Sequence, residues 1–125
     1  GDVAVKAVKL YAQKICDLPD IAWRTAAEEL LRTPSVQKKG CPKNAFLGLC
    51  NEGYVRGILP GQYGKRTQNG DYAVSAVKLL IQTPDLSTNK AGLWKRVTGG
   101  EKKHNSQMDV VVRLWDEGLI NGTKD

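Results

Sequence analysis

The sequence is short of the side chains on which most catalytic centres are built. It holds one histidine, one phenylalanine, one methionine and three cysteines in 125 residues. Cys16, Cys41 and Cys50 stand at spacings that match no zinc or thioredoxin pattern, and His104 alone could join them as a ligand. No metal site and no cofactor are therefore expected. An odd number of free thiols fits a reducing cytoplasm better than a secreted domain. No apolar run approaches the length of a bilayer span, so neither a transmembrane helix nor a secretory signal is expected in it, and no membrane partner. There is also no Gly-rich phosphate loop followed by Lys-Ser or Lys-Thr, and no dinucleotide fingerprint after a strand.

Acidic residues are missing from one stretch in particular. Residues 1–29 carry four bases against five acids, and residues 71–125 carry eight against seven. Between them, residues 30–70 contain Glu52 as the only acid, against Arg32, Lys38, Lys39, Lys43, Arg56, Lys65 and Arg66. The whole formal net charge of +6 lies there. Folded onto one face, this stretch would form a basic patch. The plainer alternative is a pair of solvated, lysine-rich loops.

What the sequence does contain is an internal echo. "AVKAVKLYAQ" at residues 4–13 returns as "AVSAVKLLIQ" at residues 73–82. In both halves a Pro-Asp pair follows (Pro19-Asp20, Pro84-Asp85), then a tryptophan (Trp23, Trp94), a lysine pair (Lys38-Lys39, Lys102-Lys103) and a Glu-Gly (Glu52-Gly53, Glu117-Gly118). Conserved order of five features indicates tandem units of roughly 60 residues. Residues 1–125 then form one all-α domain of about six helices: repeat one at about 2–58, a connector loop at about 59–71 and repeat two at about 72–122. Two copies do not make a solenoid, so a single globule with pseudo-twofold symmetry is expected.

Each unit reads as three helices. Asp2 can cap the first, with Ala4, Ala7, Val8, Tyr11 and Ile15 sharing one face. The second opens near Pro19-Asp20, buries Trp23, Ala26, Ala27, Leu30 and Leu31, and ends at Thr33-Pro34. The third starts at Pro42, faces Ala45, Phe46, Leu49 and Cys50 inward, and stops at Gly53, with Tyr54 folding back on Leu49. In the second unit the helices span about Asp71 to Gln82, about Asn89 to Val97 with Leu93, Trp94 and Val97 inward, and about Ser106 to Glu117 through Met108, Val111, Val112 and Trp115. Gly118, Leu119 and Leu114 repeat the stop. Strand signals are nearly absent. The exceptions, "YVRGI" and "LIN", follow the two stops and could pair as a short ribbon. The tryptophans at helical spacing read as core.

Both lysine pairs precede a third helix, whose free N–H groups and dipole favour an anion. Lys38, Lys39, Lys43, Lys102 and Lys103 would frame two anion sites. Lys65 and Arg66, beside Tyr63 in the connector "LPGQYGKRTQNGD", would add a loop-borne binding group. A helix-turn-helix reader is a poor fit. The links at residues 33–41 and 98–105 exceed that motif's short turn, and Asp109, Asp116 and Glu117 would repel phosphate. Backbone or RNA contact by residues 30–70 survives the objection.

A thiol enzyme is a further alternative, with Cys41 activated among lysines at a helix N-terminus and His104 at nearly the matching place in the second unit. No third orienting group is evident, and both residues also serve as ordinary cap and loop residues.

The segments "QKKGCPKNAFLGLCNEGYVRGI" and "HNSQMDVVVRLWDEGLI" resemble those of a small bacterial family, a domain of unknown function, over about Ala22 to Ile120. The resemblance implies a cytoplasmic bacterial protein carried on mobile integron gene cassettes. It implies no activity and no catalytic residues. The leading expectation is a small cytoplasmic binding or interaction protein without catalysis, engaging a protein partner or itself. Nucleic-acid or phosphate-anion binding through the basic stretch, and a cysteine-dependent enzyme using Cys41 with His104, are the alternatives. An exposed apolar patch would mark the first, salt-sensitive affinity the second and a reactive Cys41 the third.

Overall fold

Alanine and valine at helical spacing make the first helix, α1 (Asp2–Ala12), which buries Val3, Ala4, Val5, Ala7, Val8 and Leu10. The computed structural model describes residues 2–30, 40–99 and 106–121. Over these residues the chain forms α1, α2 (Pro19–Leu30), α3 (Gly40–Asn51), α4 (Gln68–Gln82), a 3₁₀ turn (Pro84–Thr88), α5 (Lys90–Thr98) and α6 (Ser106–Asp116). The all-helical expectation holds across the described residues, in one domain with a single core.

The core is assembled from small residues on the early helices and larger ones on the late helices. α1 lies along α2, and Ala4 and Ala7 of the first and Ala22 and Ala26 of the second have no exposed surface. Side chains this small let two helix backbones approach closely. α6 sits at the centre and packs against α1, α3, α4 and α5. Its Met108, Val110, Val111 and Leu114 are fully buried, each contributing about 1.5–3 kcal/mol by leaving water. Trp23 stacks at a tilt on Phe46, centroids 5.2 Å apart, and Trp94 meets Tyr72 edge-on at 5.3 Å. Both indoles are core, as expected. Ala45, Phe46, Leu49 and Cys50 face inward from α3 with no exposed surface.

The two Glu-Gly stops have the expected geometry. Gly53 and Gly118 adopt φ of 79° and 73°. The Tyr54 N–H donates to the Leu49 carbonyl and the Leu119 N–H to the Leu114 carbonyl, each at 2.9 Å, the long bond of a Schellman stop. Beyond the stops the two segments pair through one antiparallel bridge between Val55 and Ile120. The Arg56 N–H donates to the Leu119 carbonyl and the Asn121 N–H to the Tyr54 carbonyl, both at 2.8 Å. The ribbon foreseen between "YVRGI" and "LIN" is this single bridge.

Several expectations are corrected. Ile15 does not continue the α1 stripe and is 63% exposed. Lys14 takes the left-handed conformation at φ 62°, the Ile15 N–H bonds back to Leu10, and the chain leaves the helix before Ile15 can rejoin the face. Leu30, the last residue of α2, is exposed rather than buried, and Leu31 and Thr33-Pro34 lie outside the described residues. α3 begins at Gly40, two residues before Pro42. α4 begins at Gln68 rather than Asp71, because the Thr67 hydroxyl accepts from the Gly70 N–H and starts the helix there. Asn69-Gly70 is thus a first helical turn and not a loop. Pro84-Asp85 opens a 3₁₀ turn, whereas Pro19-Asp20 opens an α-helix. Val97 and Trp115 are half-buried rather than fully inward.

Candidate functional site

Among the concave regions of the described surface, two lie at or next to the connector. The first is an open cleft of about 690 Å³ between the end of α3, the loop and the first turns of α4. Asn51, the last residue of α3, builds its floor. Its side chain accepts from the Tyr63 N–H at 2.7 Å and donates to the Gly64 carbonyl at 3.0 Å, while its own carbonyl accepts from the Gly61 N–H at 3.2 Å. Tyr63 is held further by its hydroxyl, which donates to the Leu59 carbonyl. A segment with no periodicity is thereby ordered by one helix-terminal amide.

Lys65 and Arg66 both line this cleft, as does the opposing pair Glu52 and Asp71. Arg66 Nε lies 3.1 Å from Asp71 Oδ1, so the arginine's charge is engaged within the site. The N-terminus of α4 is likewise occupied by its own Thr67 cap and Asp71. These contacts lower the cleft's attraction for an anion. Lys65 is the cation left over: it is exposed and makes no ion pair with any described residue.

The second region is a shallow cleft of about 380 Å³ at the corner where α1 turns into α2, lined by Tyr11, Ala12, Lys14, Cys16, Asp17 and Gly57. Three large apolar side chains stand out from this corner: Ile15 at 63%, Leu18 at 46% and Ile21 at 38% exposure. Gly57, just before the connector, also lines the cleft, and two residues beyond it Leu59 is 77% exposed. Tyr63 of the connector lies near Tyr11, which lines this cleft. Its phenol is pushed above the ordinary value by burial, then by the neighbouring Tyr11 and by Cys50.

The thiols divide in a similar way. Cys16 and Cys50 are free and buried. Burial drives the Cys50 thiol far above its ordinary value, so at neutral pH it is a protonated core residue rather than a nucleophile. Cys41 belongs to the first turn of α3, and its side chain lies outside the described residues, as do Lys38, Lys39, Lys102, Lys103 and His104. Lys43 is half-exposed near the start of α3. The structure therefore brings Lys65 and Arg66 together on the connector cleft. Among the described residues no group of three His, Cys, Asp or Glu side chains could hold a metal ion, and no helix is long and apolar enough to cross a membrane.

Sequence reasoning missed the apolar corner. Extending the α1 stripe by one more turn assigned Ile15 to the core, and no glycine advertised the left-handed residue that ends the helix. The available signal was Leu18 and Ile21, which fit neither the stripe of α1 nor that of α2.

The geometry defines a small all-helical domain with an uncovered apolar corner and a loop-built cleft. Over residues 1–121 the chain matches the family described as "Family of unknown function (DUF6979)", and it belongs to that family. No curated protein and no solved structure matches it.

Proposed function

We propose that this protein is a non-catalytic interaction domain that binds another protein through the α1–α2 corner. The observation that carries the reading is the exposure of Ile15, Leu18 and Ile21 within residues 15–21. Single exposed apolar residues are ordinary, but neighbouring ones keep apolar surface in water unless something covers them. The cleft beside them, lined by Tyr11, Lys14, Cys16, Asp17 and Gly57, offers a recess. The setting is the bacterial cytoplasm, in keeping with unpaired cysteines.

The same proposal includes the ancestry of the fold. Two tandem three-helix units, at about residues 2–58 and 72–122 around the connector, would account for matching Schellman stops bridged by Val55 and Ile120. The differing openings of α2 and the Pro84–Thr88 turn would then be divergence after duplication.

Site-specific photo-crosslinking tests the interaction. A photoreactive residue in place of Ile15 or Leu18 is expected to give a discrete protein adduct in the producing cell, and one in place of Ser87 none. No discrete adduct from either corner position would overturn the reading.

Anion or nucleic-acid binding is the second reading, favoured by exposed Lys65 at the mouth of the connector cleft. Fluorescence anisotropy with labelled DNA and RNA at low salt tests it. Binding that weakens steeply with salt and with Lys65→Ala would support it, and no binding at low salt would end it.

A further inference from the structure

Resting on the interaction reading above, we propose that the partner of the α1–α2 corner is a second copy of this chain, joined in a two-fold contact that sets Lys14 of each copy against Asp17 of the other. The corner is self-complementary in charge. Lys14 and Asp17 both line its cleft, both are exposed, and neither makes an ion pair with any described residue. In a contact with two-fold symmetry the same patch meets itself, so a residue of one sign needs a residue of the other sign nearby on the same patch. Three positions apart, these two satisfy that requirement twice per dimer.

Local charge favours this partner over a strongly charged one. The chain carries +6 overall, yet residues 14–21 contain Lys14, Asp17 and Asp20 and no further charge. Two copies meeting over residues 14–21 therefore oppose no large excess of one sign within that stretch. The apolar side chains then supply the attraction. Ile15 and Leu18 adjoin Lys14 and Asp17 in the chain and are exposed, so closure would cover both. The charges set the register of the contact, and the apolar area holds it.

Sedimentation equilibrium on the full chain over a wide concentration series tests the inference, with Lys14→Asp, Asp17→Lys and the combined double variant. Both positions are exposed, and aspartate tolerates the left-handed backbone at position 14. Circular dichroism of each variant confirms that it is folded. The wild type is expected to be a reversible dimer. Each single swap creates like-charge contacts at two places and should weaken association about tenfold, while the double swap should restore it to within about threefold. Ile15→Ser should also produce a monomer.

A dimer whose affinity ignores the single swaps, or a double variant that fails to recover, would overturn the inference. So would a wild type that stays monomeric throughout. If that monomer still yields a discrete adduct of another mass from position 15, the partner is a different protein and the interaction reading stands. If no adduct forms at all, the interaction reading falls as well.

Discussion

Gly48 of α3 and Gly70 of α4 meet backbone to backbone: a Cβ placed on Gly48 would lie 2.5 Å from the Gly70 Cα. No real Cβ tolerates that distance, and the atom it meets is main chain, which cannot swing aside. The reverse change is milder. A Cβ on Gly70 would stand 3.2 Å from the Asn44 carbonyl oxygen and 3.2 Å from the Gly48 Cα. Gly48→Ala is therefore expected to destabilise the fold by about 1–3 kcal/mol through forced separation of the two helices. Gly70→Ala should cost less, because its Cβ would approach no atom nearer than 3.2 Å, while alanine's better helix propensity returns up to about 1 kcal/mol at either position. Urea denaturation of both variants measures the difference, and equal losses would contradict the asymmetry. The connector cleft sits on this contact, so opening it should also loosen the loop.

Asn51 offers a second test of that coupling. Its amide donates to Gly64 and accepts from Tyr63, and Lys65 and Arg66 follow directly. Asn51→Ala removes both bonds and should lower stability by about 1–3 kcal/mol, since each part-buried hydrogen bond contributes about 0.5–1.5 kcal/mol. The more telling readout is local. Limited trypsin digestion should cut after Lys65 or Arg66 several-fold faster in the variant than in the wild type, because the loop is no longer fixed to α3. A Cβ on Gly64 would lie 3.0 Å from the Leu47 Cδ1, so unchanged cleavage would mean that this close approach, not Asn51, holds the segment.

These two contacts mark the limit of what the sequence shows. Ala-Val spacing, the buried face of Phe46 and Leu49, and the Glu-Gly stops were legible because each depends on residues within one or two turns of each other. Asn69-Gly70 looked like a turn, yet it lies in a helix. The reason is tertiary: Gly70 is small so that α3 can cross there. Ile15 was misplaced for the opposite reason, since a lysine takes the left-handed position that a glycine would have announced. The cleft was legible as Lys65 and Arg66, but the pairing of Arg66 with Asp71 was not, because Asp71 was assigned to begin a helix that in fact starts before it.

The left-handed residues separate into a graded series. Gly53 and Gly118 share one stop geometry, but a Cβ on Gly53 would meet the Pro60 Cγ at 2.8 Å, whereas one on Gly118 meets nothing within 4 Å. Both alanine variants incur the backbone strain of a left-handed residue, about 1–2 kcal/mol. Gly53→Ala must also displace Pro60, so it should be the more harmful of the two. At the end of α1 the logic reverses. Lys14 already sits at φ 62°, and Lys14→Gly should stabilise the fold by up to about 1 kcal/mol. Thermal melts of the three variants should order them with Lys14→Gly highest and Gly53→Ala lowest.

Cys50 sets the expected response to alkali. Its side chain has no exposed surface, and burial raises the folded thiol well above the ordinary value of 9.0. Below that value both folded and unfolded chains keep the proton, and the stability is fully present. Above it the unfolded chain ionises while the folded one does not, so stability is lost as pH rises. The slope from this group is about 1.4 kcal/mol per pH unit. Tyr63, also raised, acts in the same sense from about its ordinary value of 10.0 upward. Cys50→Ala should be slightly less stable at neutral pH, from lost packing, but its stability should fall less steeply above about pH 9. Urea titrations at several pH values between about 7 and 11 compare the two curves. Parallel curves would show that the Cys50 thiol reaches water as easily in the folded protein as in the unfolded chain.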